Sequence, residues 1–186
     1  MGGARYLILH GWQGSSPEHW QSWLARRLGP EAAYPALPDP DRPRLAPWMA
    51  RLHAELRALT EDPVVLCHSL GCVLWLHHVA AGHDGFPRPA RVLLVAPPGG
   101  VRIPELAEFL PAPLDAGAVA AAAGETRLVC SDDDPYCPGG AARRYGEPLG
   151  VTSEVIEGGA HLNTDAGYGP WPAVEAWARG ERPSIL

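Results

Sequence analysis

Three side chains able to share one reaction are spread through this chain: Ser69, Asp134 and His161. A serine hydroxyl is a weak nucleophile until an adjacent base takes its proton. An imidazole can be that base, and a carboxylate can fix its tautomer and stabilise the imidazolium that forms. The combination would transfer an acyl group to water.

Ser69 follows the apolar run Val64-Val65-Leu66-Cys67-His68 and precedes Leu70-Gly71, after which Cys72 to Ala81 is apolar at helical length. A strand that turns into a helix with no loop residue between them forces the serine into a sharp bend and exposes its hydroxyl. The usual pattern is G-x-S-x-G. Gly71 supplies the second glycine, and Cys67 stands where the first would be. Cysteine is small, so the turn is expected to form with altered packing. The competing reading makes Ser69 an ordinary helix cap after a buried strand.

His161 is one of eight histidines and sits in Gly158-Gly159-Ala160-His161-Leu162-Asn163, a glycine-rich stretch past a predicted strand. Glycines let such a loop carry an imidazole back over a sheet edge; taken alone, the residue is an exposed loop histidine. Asp134 lies in Ser131-Asp132-Asp133-Asp134-Pro135-Tyr136. Asp132 and Asp133 compete with it, and Asp134 is preferred because Pro135 constrains the chain directly after it. The whole run also reads as a solvated acidic loop or a helix cap.

Acyl transfer needs donors for the oxyanion. The first N–H groups of a helix lack internal partners, which nominates the backbone N–H of Leu70. The N–H of Trp12, past the first strand, is the second candidate. Such donors contribute roughly 3–4 kcal/mol each in a transition state. For the substrate pocket, His10 is a candidate at a strand end, and His68 could either shape the pocket or hydrogen-bond loop backbone. Phe109, Leu110 and Leu114 lie in Pro97–Gly124, the longest stretch without a clear strand. They are candidates for an acyl pocket or partial lid, against an ordinary surface helix and loop. Trp12 and Trp171 are further pocket candidates, with the core the stronger reading for Trp171.

The elements that must position these residues alternate. Strands are predicted at Tyr6–His10, Ala32–Leu37, Val64–His68, Val92–Ala96, Arg127–Cys130 and Thr152–Ile156. Between them, helices are expected from the Ser16-Pro17 start to Leu28, from Pro47 to the breaker Asp62-Pro63, over Cys72–Ala81, over Ala118–Ala123 and over Pro170–Arg179. Strands alternating with helices imply an α/β fold in three layers, with a mostly parallel sheet of about six strands covered on both faces. Ligands of such sheets sit beyond the carboxyl ends of the strands. Trp12, Ser69, Asp134 and His161 each follow a predicted strand, so one sheet edge would gather them.

The length of 186 residues fits one domain, residues 1–186, with neither a repeat nor a boundary. A formal charge of -6 and the lack of a basic run argue against a nucleic-acid partner. No segment approaches the ~20 apolar residues of a membrane span. Met1–Tyr6 lacks the apolar core of a signal peptide, and Tyr6 breaks the myristoylation pattern. The cysteines Cys67, Cys72, Cys130 and Cys137 form no C-x-x-C pair, which disfavours zinc or thioredoxin-type chemistry. A cytoplasmic protein with reduced thiols is expected. His77-His78 and His83-Asp84 are the remaining metal candidates. Adjacent helical residues point about 100° apart, so His77 and His78 are assigned surface or packing roles.

The stretches Leu9-His10-Gly11-Trp12, Pro17-Glu18-His19-Trp20, His68-Ser69-Leu70-Gly71, Ser131–Tyr136 and Gly159–Asn163 together resemble a known group. It is the family of small serine hydrolases that includes bacterial YdeN-like proteins and animal retinoblastoma-binding protein nine. The resemblance covers nearly the whole chain and implies a compact α/β-hydrolase core without a large cap domain. It implies a triad at Ser69, Asp134 and His161, in the chain order that fold uses, and hydrolysis of esters or amides.

The expectation is therefore a serine hydrolase, carboxylesterase-like, that cleaves a small-molecule ester, thioester or amide through an acyl-enzyme on Ser69, without cofactor or metal. A protein-interaction module on the same fold is the alternative from a different class, and a lyase reaction is a further one. No motif encodes the acyl length or the oligomeric state.

Overall fold

The computed structural model describes residues 3–82 and 84–186. Six strands form one parallel sheet: β1 (Ala4–Leu9), β2 (Ala32–Ala33), β3 (Leu59–His68), β4 (Arg91–Val95), β5 (Glu125–Ser131) and β6 (Thr152–Ile156). Their order across the sheet is β2-β1-β3-β4-β5-β6, and every neighbouring pair is parallel. The helices are α1 (Trp20–Leu28), α2 (Leu45–Arg57), α3 (Leu70–Ala80), α4 (Ala116–Ala122), the single turn α5 (Glu147–Leu149) and α6 (Pro172–Arg179).

Side chains alternate across a strand, and in this sheet both faces are apolar. On β1 and β3, Leu7, Leu9, Val65 and Cys67 join a core with Trp48, Leu52 and Leu56 of α2 and the apolar residues of α3. Tyr6, Ile8, Val64 and Leu66 point the other way, to Trp20, Leu24 and Leu28 of α1 and Val174 and Trp177 of α6. The layers are thus α1 and α6, the sheet, and α2 with α3 and α4, the minimal α/β-hydrolase arrangement. α3 is apolar all round and buried along almost its full length, which is why no amphipathic stripe marks it in the sequence.

Several boundaries differ from expectation. α1 starts at Trp20, not at Ser16-Pro17. Ser16 closes only a turn, its carbonyl accepting from His19 N–H at 3.1 Å. His19 is the cap, its Nδ1 accepting from Gln21 N–H at 3.1 Å. β2 is two residues long, because Pro35 and Pro38 cannot donate to a ladder. α2 begins at Leu45, two residues before Pro47, and Glu108 caps it by accepting from Leu45 N–H at 2.9 Å. β3 begins at Leu59 and runs through Asp62-Pro63, the expected breaker. Ala4 pairs with Leu59 and Tyr6 with Val64, so Thr60–Pro63 stand opposite Arg5 alone. That bulge accommodates a proline and an Asp62 with φ of 52°.

Candidate active site

The turn between β3 and α3 holds Ser69 at φ 53° and ψ -123°, a conformation that side chains rarely adopt. Ser69 N–H donates to Val95 O of β4 at 2.9 Å, and Ser69 O accepts from Cys72 N–H at 2.9 Å. The strand before and the helix after are therefore both locked to the bent residue. A Cβ on Gly71 would lie 2.5 Å from Leu9 O and 2.8 Å from His10 O, so this position has room for glycine only. Gly11 is equally confined, since its Cβ would lie 2.6 Å from Ser69 Cβ. Cys67, in place of the first glycine, is wholly buried in the core under α3, and burial pushes its thiol pKa far up. The bend forms with that substitution.

Ser69 Oγ lies 2.9 Å from His161 Nε2. His161 Nδ1 lies 3.0 and 2.9 Å from the two carboxylate oxygens of Asp134. A carboxylate only accepts, so Nδ1 carries the proton and Nε2 is free to accept from the serine hydroxyl. All three residues are buried. Tyr136 N–H donates to Asp134 Oδ1 at 2.8 Å, and the Tyr136 ring packs on His161 with centroids 4.5 Å apart. The structure thus brings together the three residues singled out from sequence.

The acidic run divides its work in a way the sequence did not reveal. Asp132 Oδ1 accepts from Gly158 N–H at 2.9 Å, and Asp133 Oδ1 accepts from Ala160 N–H at 2.7 Å. Those two carboxylates hold the histidine loop, and Asp134 faces the imidazole. The loop needs holding, because the non-glycine residues on either side of His161 have positive φ, 45° at Ala160 and 50° at Leu162. His68 completes the clamp by donating Nε2–H to His161 O at 3.0 Å. Of its two expected roles, the bond to loop backbone is thus present; His68 also lines the cavity.

A cavity of about 370 Å³ opens over Ser69 and His161. Trp12 lines it, and its indole Nε1–H donates to Asp41 O at 3.1 Å. Leu70 opens α3 directly after Ser69, so its N–H is one of the orphan donors of a helix start. His19 also lines the cavity. Burial, together with repulsion from His161, lowers its pKa to about 4. Burial, then the charges of His161 and His19, holds His68 well below the usual histidine value. Both are neutral imidazoles beside the reacting pair. Neither His19 nor Tyr136 was assigned from sequence; their places next to Trp20 and Pro135 in recognisable motifs were the only signals.

The expected pocket residues fare differently. His10 is not in the cavity. Its Nδ1–H donates to Gly11 O at 2.8 Å, and its Nε2 accepts from Leu37 N–H at 3.0 Å, so both nitrogens are committed to backbone. Phe109 is wholly buried against Trp48, with ring centroids 5.2 Å apart, and belongs to the core. Leu110 and Leu114 line a separate depression with Val101, Arg102 and Arg144. The residues of this segment that reach the cavity are Pro98 and Leu106, the latter delivered by the short 3₁₀ turn Pro104–Leu106. Trp171 is half-buried, packed on Trp20 and Tyr168.

Among the described residues, no group of three or more His, Cys, Asp or Glu side chains could hold a metal ion. His77 Nε2–H donates to Phe109 O at 2.9 Å, whereas His78 turns to His53. His83 lies outside the described residues, as do Met1 and Gly2. No described helix is long and apolar enough to cross a membrane.

A family model described as serine hydrolase matches residues 6–179. The Bacillus subtilis protein YdeN is 26% identical over 173 residues, 90% of each chain. Its crystal structure superposes with a TM-score of 0.79 at 24% identity, covering 96% of this chain and 98% of the other. A YdeN-like protein of Pectobacterium atrosepticum gives a TM-score of 0.75 at 24% identity, over 97% and 94% of the two chains. A monoacylglycerol lipase of Paleococcus ferrophilus shares the fold more distantly, with a TM-score of 0.62 at 14% identity over 98% and 97%.

Proposed function

The chain belongs to the serine hydrolase family, and we propose that it cleaves a small-molecule carboxylic ester through an acyl-enzyme on Ser69. The observation that carries this reading is the unbroken relay of Ser69 Oγ, His161 and the Asp134 carboxylate, each contact 2.9–3.0 Å long.

Ser69 Oγ attacks the ester carbonyl carbon while His161 Nε2 takes its proton. The carbonyl oxygen becomes an oxyanion and accepts from the backbone N–H groups of Leu70 and Trp12. The carbon–alkoxy bond then breaks, and the departing oxygen takes the proton from His161 Nε2. Water adds to the acyl-enzyme, gives a proton to His161, and releases the carboxylic acid as that proton returns to Ser69 Oγ. Asp134 stays ionised throughout, fixing the Nδ1–H tautomer and stabilising the imidazolium. Side chains and water account for every bond and proton in this scheme.

The test is labelling with a fluorophosphonate, read by peptide mass spectrometry. The wild type should carry the adduct on Ser69. Ser69→Ala should carry none, and His161→Ala should label about 10²-fold more slowly or worse. A folded wild type that stays unlabelled would overturn the proposal in favour of an interaction module on a hydrolase fold.

A further inference from the structure

The base decides which wall of the cavity meets the leaving group. If Ser69 is the acyl-transfer nucleophile, on which this argument rests, His161 Nε2 must return its proton to the departing oxygen. The alcohol must then lie over His161 and the chain that follows it.

That chain is Asn163, Thr164 and Asp165, and all three line the cavity. Ser15 and Ser16 line it from the loop after β1, and the two walls meet where Ser16 Oγ and Thr164 Oγ1 lie 3.3 Å apart. Ser15 Oγ–H donates to Gln21 Oε1 at 3.0 Å and Ser16 and Thr164 share one bond, so each hydroxyl oxygen keeps a lone pair for the hydroxyl of a ligand. Asn163 uses its Oδ1 to cap a turn, accepting from Ala166 N–H at 3.1 Å, which leaves its amide donors unspent there. His19 adds a buried donor. Its Nδ1 accepts from Gln21 N–H, so Nε2 carries the hydrogen, and that atom has no partner among the described residues. A buried donor without an acceptor costs about 1–3 kcal/mol; this atom is covered from solvent, so a ligand reaches it only where the wall shifts.

The apolar part of the lining is short. Trp12, Pro98 and Leu106 form it, whereas Phe109 is spent in the core and Leu110 lies in another depression. The cavity of about 370 Å³ is near the small end of ligand sites.

We propose that the substrate is an ester joining a short acyl group to a hydroxylated alcohol, with the alcohol hydroxyls held between Ser15-Ser16 and Asn163–Asp165. A wall built to hydrogen-bond hydroxyls disfavours an alcohol without them, because its own polar groups are then left unpaired.

The experiment compares kcat/KM of the full chain for glyceryl monobutyrate and hexyl butyrate, with an aryl acetate alongside. Glyceryl butyrate should lead hexyl butyrate by about tenfold or more, and glyceryl dodecanoate should trail glyceryl butyrate by a similar factor. In the double variant Ser16→Ala, Thr164→Val, the glyceryl-to-hexyl ratio should fall to within about threefold of unity. Equal or faster hexyl butyrate in the wild type overturns the inference, as does an unchanged ratio in the folded double variant. The wild-type ratio decides the matter if the variant fails to fold. Aryl acetate turnover with the wrong preference sinks this inference alone; no turnover of any ester sinks the acyl-transfer reading with it.

Discussion

His68 donates its Nε2–H to the carbonyl of His161 at 3.0 Å. The residue before the nucleophile therefore holds the backbone of the imidazole that faces the nucleophile, across 93 positions of sequence. Loss of that bond frees a loop whose left-handed residues, Ala160 and Leu162, need outside support. His68→Leu should lower kcat of aryl acetate hydrolysis about 10²-fold, as expected for a misplacement near 1 Å, with little change in KM. His68→Gln retains a donor and should recover part of the loss. Circular dichroism and thermal unfolding establish that both variants fold; equal activity in all three proteins would refute the role.

The neighbours Asp133 and Asp134 should give separable defects. Asp134→Asn removes the carboxylate that fixes the His161 tautomer, and kcat should drop by about 10⁴ with thermal stability nearly kept. Asp133→Ala leaves Ala160 N–H without its acceptor and should cost about 1–3 kcal/mol of stability, with a smaller loss of kcat. Paired urea unfolding and kinetics measure both. The reverse ranking of kcat would mean that the wrong carboxylate has been assigned.

Much of this site was legible because its members follow apolar runs. Val64–His68 marks a buried strand, and Ser69 with Gly71 marks a bend that tolerates no side chain at the second position. The rest depended on long-range packing. Asp62-Pro63 reads locally as a breaker, yet a bulge opposite Arg5 absorbs it within β3. Ser16-Pro17 has the chemistry of a helix start, but the helix waits for His19. Choosing Leu106 over Phe109 as the pocket residue required knowing where Trp48 packs, about sixty positions away. Asp132, Asp133 and Asp134 are chemically alike, and only the course of the histidine loop tells them apart.

The bend itself can be tested at its two confined glycines. Gly71→Ala would press a methyl against the Leu9 and His10 carbonyls, and Gly11→Ala would press one against Ser69. Each should cost about 1–3 kcal/mol, the usual penalty of overpacking, and each should reduce fluorophosphonate labelling of Ser69. Unaltered melting and labelling in Gly71→Ala would contradict the tight approach of α3 to β1.

Acid should destabilise the fold through its neutral histidines. His10, His19 and His68 all have pKa values lowered chiefly by burial, His19 to about 4. Below the ordinary histidine value near 6.5, the unfolded chain binds protons that the native state refuses, so stability falls as pH falls. The contribution is complete above pH ~6.5 and is lost progressively toward the folded-state values. Thermal unfolding from pH 7.5 to 4.5 should show this slope. His19→Asn keeps a capping acceptor and removes one titrating group, so its slope should be shallower. An unchanged slope would show that His19 titrates normally.

Glu154 makes a matching prediction for a carboxylate. Burial opposes its charge, but Arg127, the Ser184 hydroxyl and the N–H groups of Ile185 and Leu186 outweigh that and lower its pKa. Its contribution is present at neutral pH and disappears as pH falls through the folded-state value. Glu154→Gln should lose about 1–3 kcal/mol at pH 7 and much less near pH 3, as read by chemical denaturation. A deficit independent of pH would assign the effect to packing.

The strand order sets a length. β3 carries the serine and β5 the aspartate, with β4 between them. At 4.7–4.9 Å per strand, the two carboxyl ends stand about 10 Å apart, a gap that one imidazole with a hydrogen bond at each side can bridge. β4 contributes Val95 O to lock Ser69, but its larger service is as a spacer of fixed width. The sheet can therefore gain strands beyond β2 or β6 without touching the relay. One strand more or fewer between β3 and β5 would leave the imidazole too short or too long for its task.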